Sequence, residues 1–261
     1  MASTKKIAVV IGMMNKTVQS KQCVFGHLFL FFLGVGAGLG ASLAKRFAAG
    51  GYSVGLIARK MSNLEPVKAE IEQHGQTALC VEADASDAKS LHQAFDVIRT
   101  KLGDPEVLVY NAGATRFCGI LDLKAEDLQS ILNSTVIGGL IASQEVLPSM
   151  LKNGKGTILF TGATASMRGS AGCAGLAIPK FGLRALSQSI AREYGPKNIH
   201  VAHVIIDGQI NKPRQVKEQP DRDINSFLNS DAIAETYWQL HIQPKSTWTQ
   251  EIDLRPSVEK F

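Results

Sequence analysis

The feature that most constrains this chain is an alternation of short, uninterrupted apolar runs with segments of helical periodicity. Lys6 to Gly12, Tyr52 to Ala58, Thr77 to Glu82, Val107 to Tyr110, Thr157 to Thr161 and Ile199 to Ile206 read as strands. Ala41 to Ala49, Leu64 to His74, Ser86 to Leu102, Ala125 to Met150 and Pro179 to Tyr194 read as the helices between them, and Leu91, Phe95 and Ile98 show the one-face spacing that a helix needs. A strand wetted on one side alternates apolar and polar residues, whereas a continuous apolar strand is covered on both faces. The pattern therefore predicts an α/β fold: a doubly wound parallel sheet with helices on both faces and right-handed crossovers. Its ligand site should lie beyond the carboxyl ends of the strands. One domain over residues 1–261 is expected.

The run Gly34-Val35-Gly36-Ala37-Gly38-Leu39-Gly40 opens the first of these helices. Glycines there allow a tight turn and a close approach of backbone to a pyrophosphate, and the helix N-terminus offers free N–H groups and partial positive charge to the anion. A glycine pattern alone is weak, but one placed ahead of a helix in a strand-helix series points to a dinucleotide in a Rossmann fold. The second strand of that series ends in Arg59-Lys60. A site for NAD(H) would place a carboxylate there for the ribose hydroxyls, whereas a guanidinium suits a 2′-phosphate, so NADP(H) is preferred over NAD(H).

The totals narrow the partners. A net charge of +5 suits an anionic ligand, and without a Lys/Arg cluster no nucleic-acid partner is expected. The four cysteines form no CxxC pair and the histidines no HExxH, so no metal is expected, and free buried thiols in a reducing compartment, the cytoplasm, are the plain reading. The N-terminus does not read as a signal peptide. Cys23 to Ala44 holds no charged residue between Lys21 and Lys45, which opens the alternative of a membrane-associated chain. The glycine run in its second half and His27 in its first argue against a span.

Four features together resemble the short-chain dehydrogenase/reductase family: Gly34-xxx-Gly38-x-Gly40, Asp84 after the third strand, Asn111-Ala112-Gly113 after the fourth, and Lys180 in the helix after the fifth. The resemblance covers roughly Lys5 to Ile210. It implies a seven-stranded sheet, with Asp84 near the adenine, Asn111, Ala112 and Gly113 lining the cofactor cleft, and Lys180 on the nicotinamide ribose. It also implies a small-molecule carbonyl or alcohol substrate, hydride transfer, and a homo-oligomer, dimer or tetramer.

The chain departs from the family where protons move. The family's tyrosine stands four residues before the lysine, and here that residue is Leu176. Leucine cannot exchange a proton with a substrate oxygen. The serine position is Ala163, with Thr164 and Ser166 close but out of register, and the helix asparagine position is Thr135. Only Lys180 of the usual group is retained. The enoyl reductases of the family place their tyrosine seven residues before the lysine, which here is Cys173: a weak acid, or an inert small core residue. The family's Pro-Gly after the sixth strand is Asp207-Gly208, with Lys212 in place of the threonine that often follows. Gly208 is kept as a cofactor-loop residue, and Asp207 reads as a solvated loop carboxylate or a base at the cleft mouth. Tyr237 could fold over the cleft, although its neighbour Trp238 suggests ordinary packing.

Residues 13–33 form an insert between the first strand and the glycine run. Either the insert bulges out, or Leu28 to Leu33 becomes the first strand and the original strand an extra one. The second arrangement is favoured, at an overpacking cost of roughly 1–3 kcal/mol per site from its phenylalanines. The insert is either genuine or a translated intron, since phenylalanine and leucine codons are pyrimidine-rich, as is the tract before a splice acceptor. Residues 211–261 form a variable substrate and tail region, with a helix over Asp231 to Ile242 and a last strand around Trp248, Ile252 and Leu254. Two readings of function stand: an NADP(H)-dependent oxidoreductase with an altered, weakly active site, or a dinucleotide-binding sensor or scaffold without turnover.

Overall fold

A computed structural model describes residues 7–11, 30–32, 38–211 and 218–258. Among them β1 (Ile7–Ile11), β3 (Ser53–Ala58), β4 (Ala78–Glu82), β5 (Val107–Tyr110), β6 (Gly156–Thr161), β7 (Ile199–Ile206) and β8 (Glu251–Leu254) lie in the order β4-β3-β1-β5-β6-β7-β8. Every pairing is parallel. The seven-strand path expected from the resemblance is present. The chain departs to one side of it at β3 and to the other at β5, so the topological switch point falls between β1 and β5.

The helices cover both faces. α1 (Leu39–Ala49) packs against α7 (Ser230–His241) and α2 (Glu65–Gln73), whereas α3 (Ala88–Lys101) packs against α5 (Gly138–Asn153), and α4 (Ala125–Leu132) against α6 (Ala174–Tyr194). The starts of α3 and α7 are fixed by side-chain caps: Asp87 accepts from the Lys89 amide, and Asn229 from those of Asp231 and Ala232. Strands β5, β6 and β7 are buried at every position, as continuous apolar runs require, while edge strand β4 is half exposed.

Three local expectations are revised. The single helix over Ala125 to Met150 is α4 and α5 joined by a π turn at Asn133–Ile137. Apolar spacing runs unbroken through that turn, so periodicity could not show it. Helix α6 begins at Ala174 and carries Pro179 inside it, because the backbone of Gly175 is packed against the Arg116 carbonyl, where a Cβ would approach to 2.7 Å. The third revision concerns the first strand. Ile7–Ile11 takes the central slot, in register with β3 from Ile7↔Ser53 to Ile11↔Ile57 and touching β5 through Ala8↔Val107. Of Leu28 to Leu33, residues Leu30–Phe32 form β2, which pairs with β1 from Val9↔Leu30 to Ile11↔Phe32 and also contacts β3 and β5. A strand has two hydrogen-bonding edges, yet β1 has three strand partners. β1 and β2 therefore crowd one slot.

Candidate active site

Parallel strands bring their carboxyl ends to one rim, and the residues singled out from the sequence follow those ends. Gly38, Leu39 and Gly40 form the start of α1; Gly34 and Gly36 lie outside the described residues. The N-terminus of α1 has no side-chain cap and no acidic residue in its first turn, so its amides keep their attraction for an anion. Arg59 follows β3 and is half-buried. Glu82, opposite Ala58 at the end of β4, accepts the Met61 amide at 2.8 Å.

Asp84 follows β4, and one of its oxygens accepts both the amide and the hydroxyl of Ser86, at 2.8 and 2.7 Å. This local turn holds the carboxylate on the rim. After β5 come Asn111, half-buried, and Ala112, fully buried. A Cβ at Gly113 would lie 3.4 Å from Thr135 Oγ1 and 3.6 Å from Lys180 Nζ, so these two groups face one point above the end of β5. Thr135 is fully buried and its hydroxyl has no hydrogen-bond partner. It sits in the π turn, beside the close approach of Gly138 to Ala85 and Tyr110, where a Cβ would be 2.4 Å from the Ala85 carbonyl oxygen. The Tyr110 hydroxyl donates to the Ser134 carbonyl at 2.5 Å and locks that turn to β5.

Lys180 is 7% exposed and donates from Nζ to the Thr161 carbonyl at 2.6 Å. Burial lowers its pKa to about 8. The Thr161 side chain meets the Tyr237 hydroxyl at 2.7 Å. Tyr237 is a fully buried core residue, and burial raises its phenol well above the ordinary range. Leu176 is half-buried, one turn before Lys180 on α6, and Cys173 stands at the start of that helix, separated from Lys180 by about 10 Å of helical rise. Ala163 precedes the 3-10 turn Thr164–Ser166, and its amide donates to Ser166 Oγ at 3.1 Å.

Asp207 is not the solvated loop residue expected. It is 6% exposed, it accepts the Thr164 hydroxyl, and Arg255 Nη2 lies 3.2 Å from its other oxygen. Gly208 has φ +147°, a conformation that favours glycine. Lys212 lies outside the described residues.

The sequence reading missed a second buried cluster. His203 on β7 is fully buried; its Nδ1 lies 3.2 Å from Glu251 Oε2, and Glu251 is held by Arg184 through contacts of 2.6 and 2.7 Å. Its Nε2 has no partner. Burial, and then the charge of Lys180, hold this imidazole well below its ordinary pKa. The available signal was a histidine at two positions, 200 and 203, within an otherwise apolar run.

A doubly wound parallel sheet whose rim carries an uncapped helix N-terminus, an Asn-Ala-Gly turn and a buried lysine defines a nucleotide-binding α/β domain. Comparison with known proteins gives its family. A model of the short chain dehydrogenase family matches residues 30–222. A 3-oxoacyl-[acyl-carrier-protein] reductase of Bos taurus is 28% identical over 66% of this chain and 71% of its own length. A 3-ketodihydrosphingosine reductase of the same species is 24% identical over 89% of this chain and 71% of its own. Among solved structures, a short-chain dehydrogenase from Rhodopseudomonas palustris superposes with a TM-score of 0.75 at 34% identity, covering 97% of this chain and 100% of that one. Another from Burkholderia cenocepacia J2315, in complex with NADP, gives a TM-score of 0.73 at 27% identity over 84% and 92%. The chain belongs to the short-chain dehydrogenase family of oxidoreductases.

No helix among the described residues is long and apolar enough to cross a membrane. The candidate span 23–44 lies largely outside them.

Proposed function

We propose that this protein binds NADP(H) and transfers hydride to or from a small carbonyl or alcohol substrate at a low rate, without the family's tyrosine. The observation that carries the proposal is the pair Lys180 Nζ and Thr135 Oγ1, both buried and converging on the backbone of Gly113. Thr135 is an orphaned hydroxyl, and such a group calls for a partner that the folded chain does not supply. A ribose with its hydroxyls matches that donor set, and the uncapped start of α1 matches a pyrophosphate. Lys180 would hold the nicotinamide ribose, Asn111 to Gly113 the wall of the cleft, Asp84 the adenine end, and Arg59 a 2′-phosphate. When bound, the cofactor supplies the hydride.

The chain's own residues orient the reactants and move the proton. A positioned hydroxyl acid contributes about 10²–10⁴-fold, and Leu176 offers none. Thr164 with Asp207, and Cys173, are protic groups of the region between β6 and α6 and the loop after β7 that could take part. The same Leu176 favours a second reading, a dinucleotide sensor or scaffold without turnover. A homo-oligomer in the cytoplasm is the setting proposed for either, with a small-molecule substrate in the first. NADPH binding followed by fluorescence, alongside NADPH oxidation against a panel of carbonyl compounds, decides between them. Binding with slow turnover supports the first reading, and binding without turnover the second. Well-folded protein that binds neither NADPH nor NADH overturns both.

A further inference from the structure

We propose that Cys118 and Cys173 form a reversible disulfide across the entrance of the cleft. The two residues lie far apart in sequence, in the loop after β5 and at the start of α6. The Cys118 amide donates to the Gly172 carbonyl at 3.0 Å, so the backbone of Cys118 runs directly beside the peptide bond that leads into Cys173. The fixed angles of the planar trans peptide and of the N–H donor, with that hydrogen bond, keep the two Cα atoms within about 7 Å of each other, which is the outer reach of a disulfide. Both thiols are free and half-buried, and so open to a small reagent.

A second close approach holds the same two segments together. Gly175, the second residue of α6, faces the Arg116 carbonyl, where a side chain could not fit. Gly172 takes φ +72° with no other group closer than the Cys118 carbonyl, at 3.8 Å from its absent Cβ. The loop and the helix start are therefore held together by backbone contacts on either side of Cys173, which brings the two cysteine backbones side by side. Cys80 behaves differently. It is half-buried in β4, and burial pushes its thiol up to about 12, which keeps it protonated and slow to react.

The oxidant is a low-molecular-weight disulfide such as oxidised glutathione. One thiol loses its proton and attacks a sulfur of the oxidant; a mixed disulfide forms and one glutathione thiol leaves. The second cysteine, as thiolate, attacks the protein sulfur of that mixed disulfide. The protein S–S bond forms and a second glutathione thiol departs, so the two protein thiols are oxidised as the one oxidant disulfide is reduced to two thiols. The bond would tie the loop carrying the exposed Phe117, Ile120 and Leu121 to the helix that carries Leu176 and Lys180.

The test treats the folded full chain with oxidised glutathione, alkylates the remaining thiols and maps the peptides by mass spectrometry. The expected result is one linked pair joining the peptides of Cys118 and Cys173, opened by dithiothreitol, while Cys80 stays unlinked. Cys118→Ser and Cys173→Ser should each abolish the linked pair and leave a mixed disulfide on the cysteine that remains. Wild-type protein in which both residues stay alkylatable, or in which both carry glutathione with no linked pair, overturns the proposal. The readout is covalent, so failure to bind NADPH would overturn the functional reading and leave this one standing.

Discussion

On one side of β5 the sheet is assembled without competition, and on the other two segments claim the same place. Strands β6, β7 and β8 pair in unbroken register, from Gly156↔Ile199 to Thr161↔Val204 and from His203↔Glu251 to Ile206↔Leu254. That wing holds Lys180 against the Thr161 carbonyl and carries the whole proton-handling region. On the other side, β1 and β2 run parallel within one slot, just before the glycine run that should grip the phosphates. The comparison separates two kinds of defect. The β6–β8 wing pairs without interruption but carries Leu176 one turn before Lys180, where the proposed function lacks a hydroxyl. The β1 side keeps its glycines but has a surplus of strand ahead of them.

The largest effect should come from repairing the chemistry of the well-formed wing. Leu176→Tyr combined with Ala163→Ser should raise the rate of NADPH-dependent carbonyl reduction about 100-fold or more, the contribution expected of a positioned acid. Steady-state assays of kcat on the best substrate of the carbonyl panel measure it. No gain would mean that the cleft itself has been reshaped, and the contrast between the two wings would lose its point. The next effect belongs to the crowded slot. Deleting residues 13–33 joins Gly12 to Gly34 and leaves β1 as the sole candidate for the slot. Removing one misfit worth roughly 1–3 kcal/mol should tighten NADPH binding about tenfold and raise Tm by several degrees. Equal affinity and equal Tm in the two forms would show that the slot tolerates both segments. A smaller change sharpens the assignment of the adenosine end. Arg59→Ala should weaken NADPH by about tenfold while leaving NADH nearly unaffected, since only the first carries the 2′-phosphate that a guanidinium can grip. Equal losses for both cofactors would move the 2′-phosphate site elsewhere.

What could be read from the sequence was whatever depends on neighbours in the chain. Continuous apolar runs gave β5, β6 and β7 to the residue or within one, and the tripeptide Asn111-Ala112-Gly113 and Lys180 fell on the expected rim. What could not be read depends on partners brought in from far away. Asp207 loses its exposure because Thr164 and the tail residue Arg255 close on it from either side. Trp238 beside Tyr237 points to ordinary packing, which burial bears out, but nothing near it in sequence shows that its hydroxyl meets Thr161. Pro179 was taken for a helix start, but packing of Gly175 against Arg116 extends α6 ahead of it. For the first strand, two segments of similar apolar character leave the sequence nearly neutral, and pairing with β3 over five positions favours Ile7–Ile11 over the three-residue Leu30–Phe32.

The smallest effect is a pH dependence that the intact wing should show. His203 is fully buried and faces Lys180, Glu251 and Arg184; burial and the lysine charge depress its pKa below the ordinary 6.5. An unfolded chain binds a proton at this histidine as pH falls through 6.5, whereas the folded chain does not until lower pH. The unfolded state therefore holds more protons in that window, and stability must drop as pH falls from 6.5 toward 5. Glu251, held down by Arg184, has its own loss only below the ordinary carboxylate value of 4.5, so the two limbs separate. His203→Gln should flatten the upper limb by about 1 kcal/mol per pH unit and leave the one below pH 4.5 in place. Urea unfolding at closely spaced pH values from 7 to 5 measures the difference. If wild type and variant lose stability in parallel over that range, His203 binds its proton alike in the folded and unfolded chain, and burial in the ordered β6–β8 wing does not hold it neutral; a wild type that gains stability relative to the variant as pH falls would mean that it is charged in the folded protein.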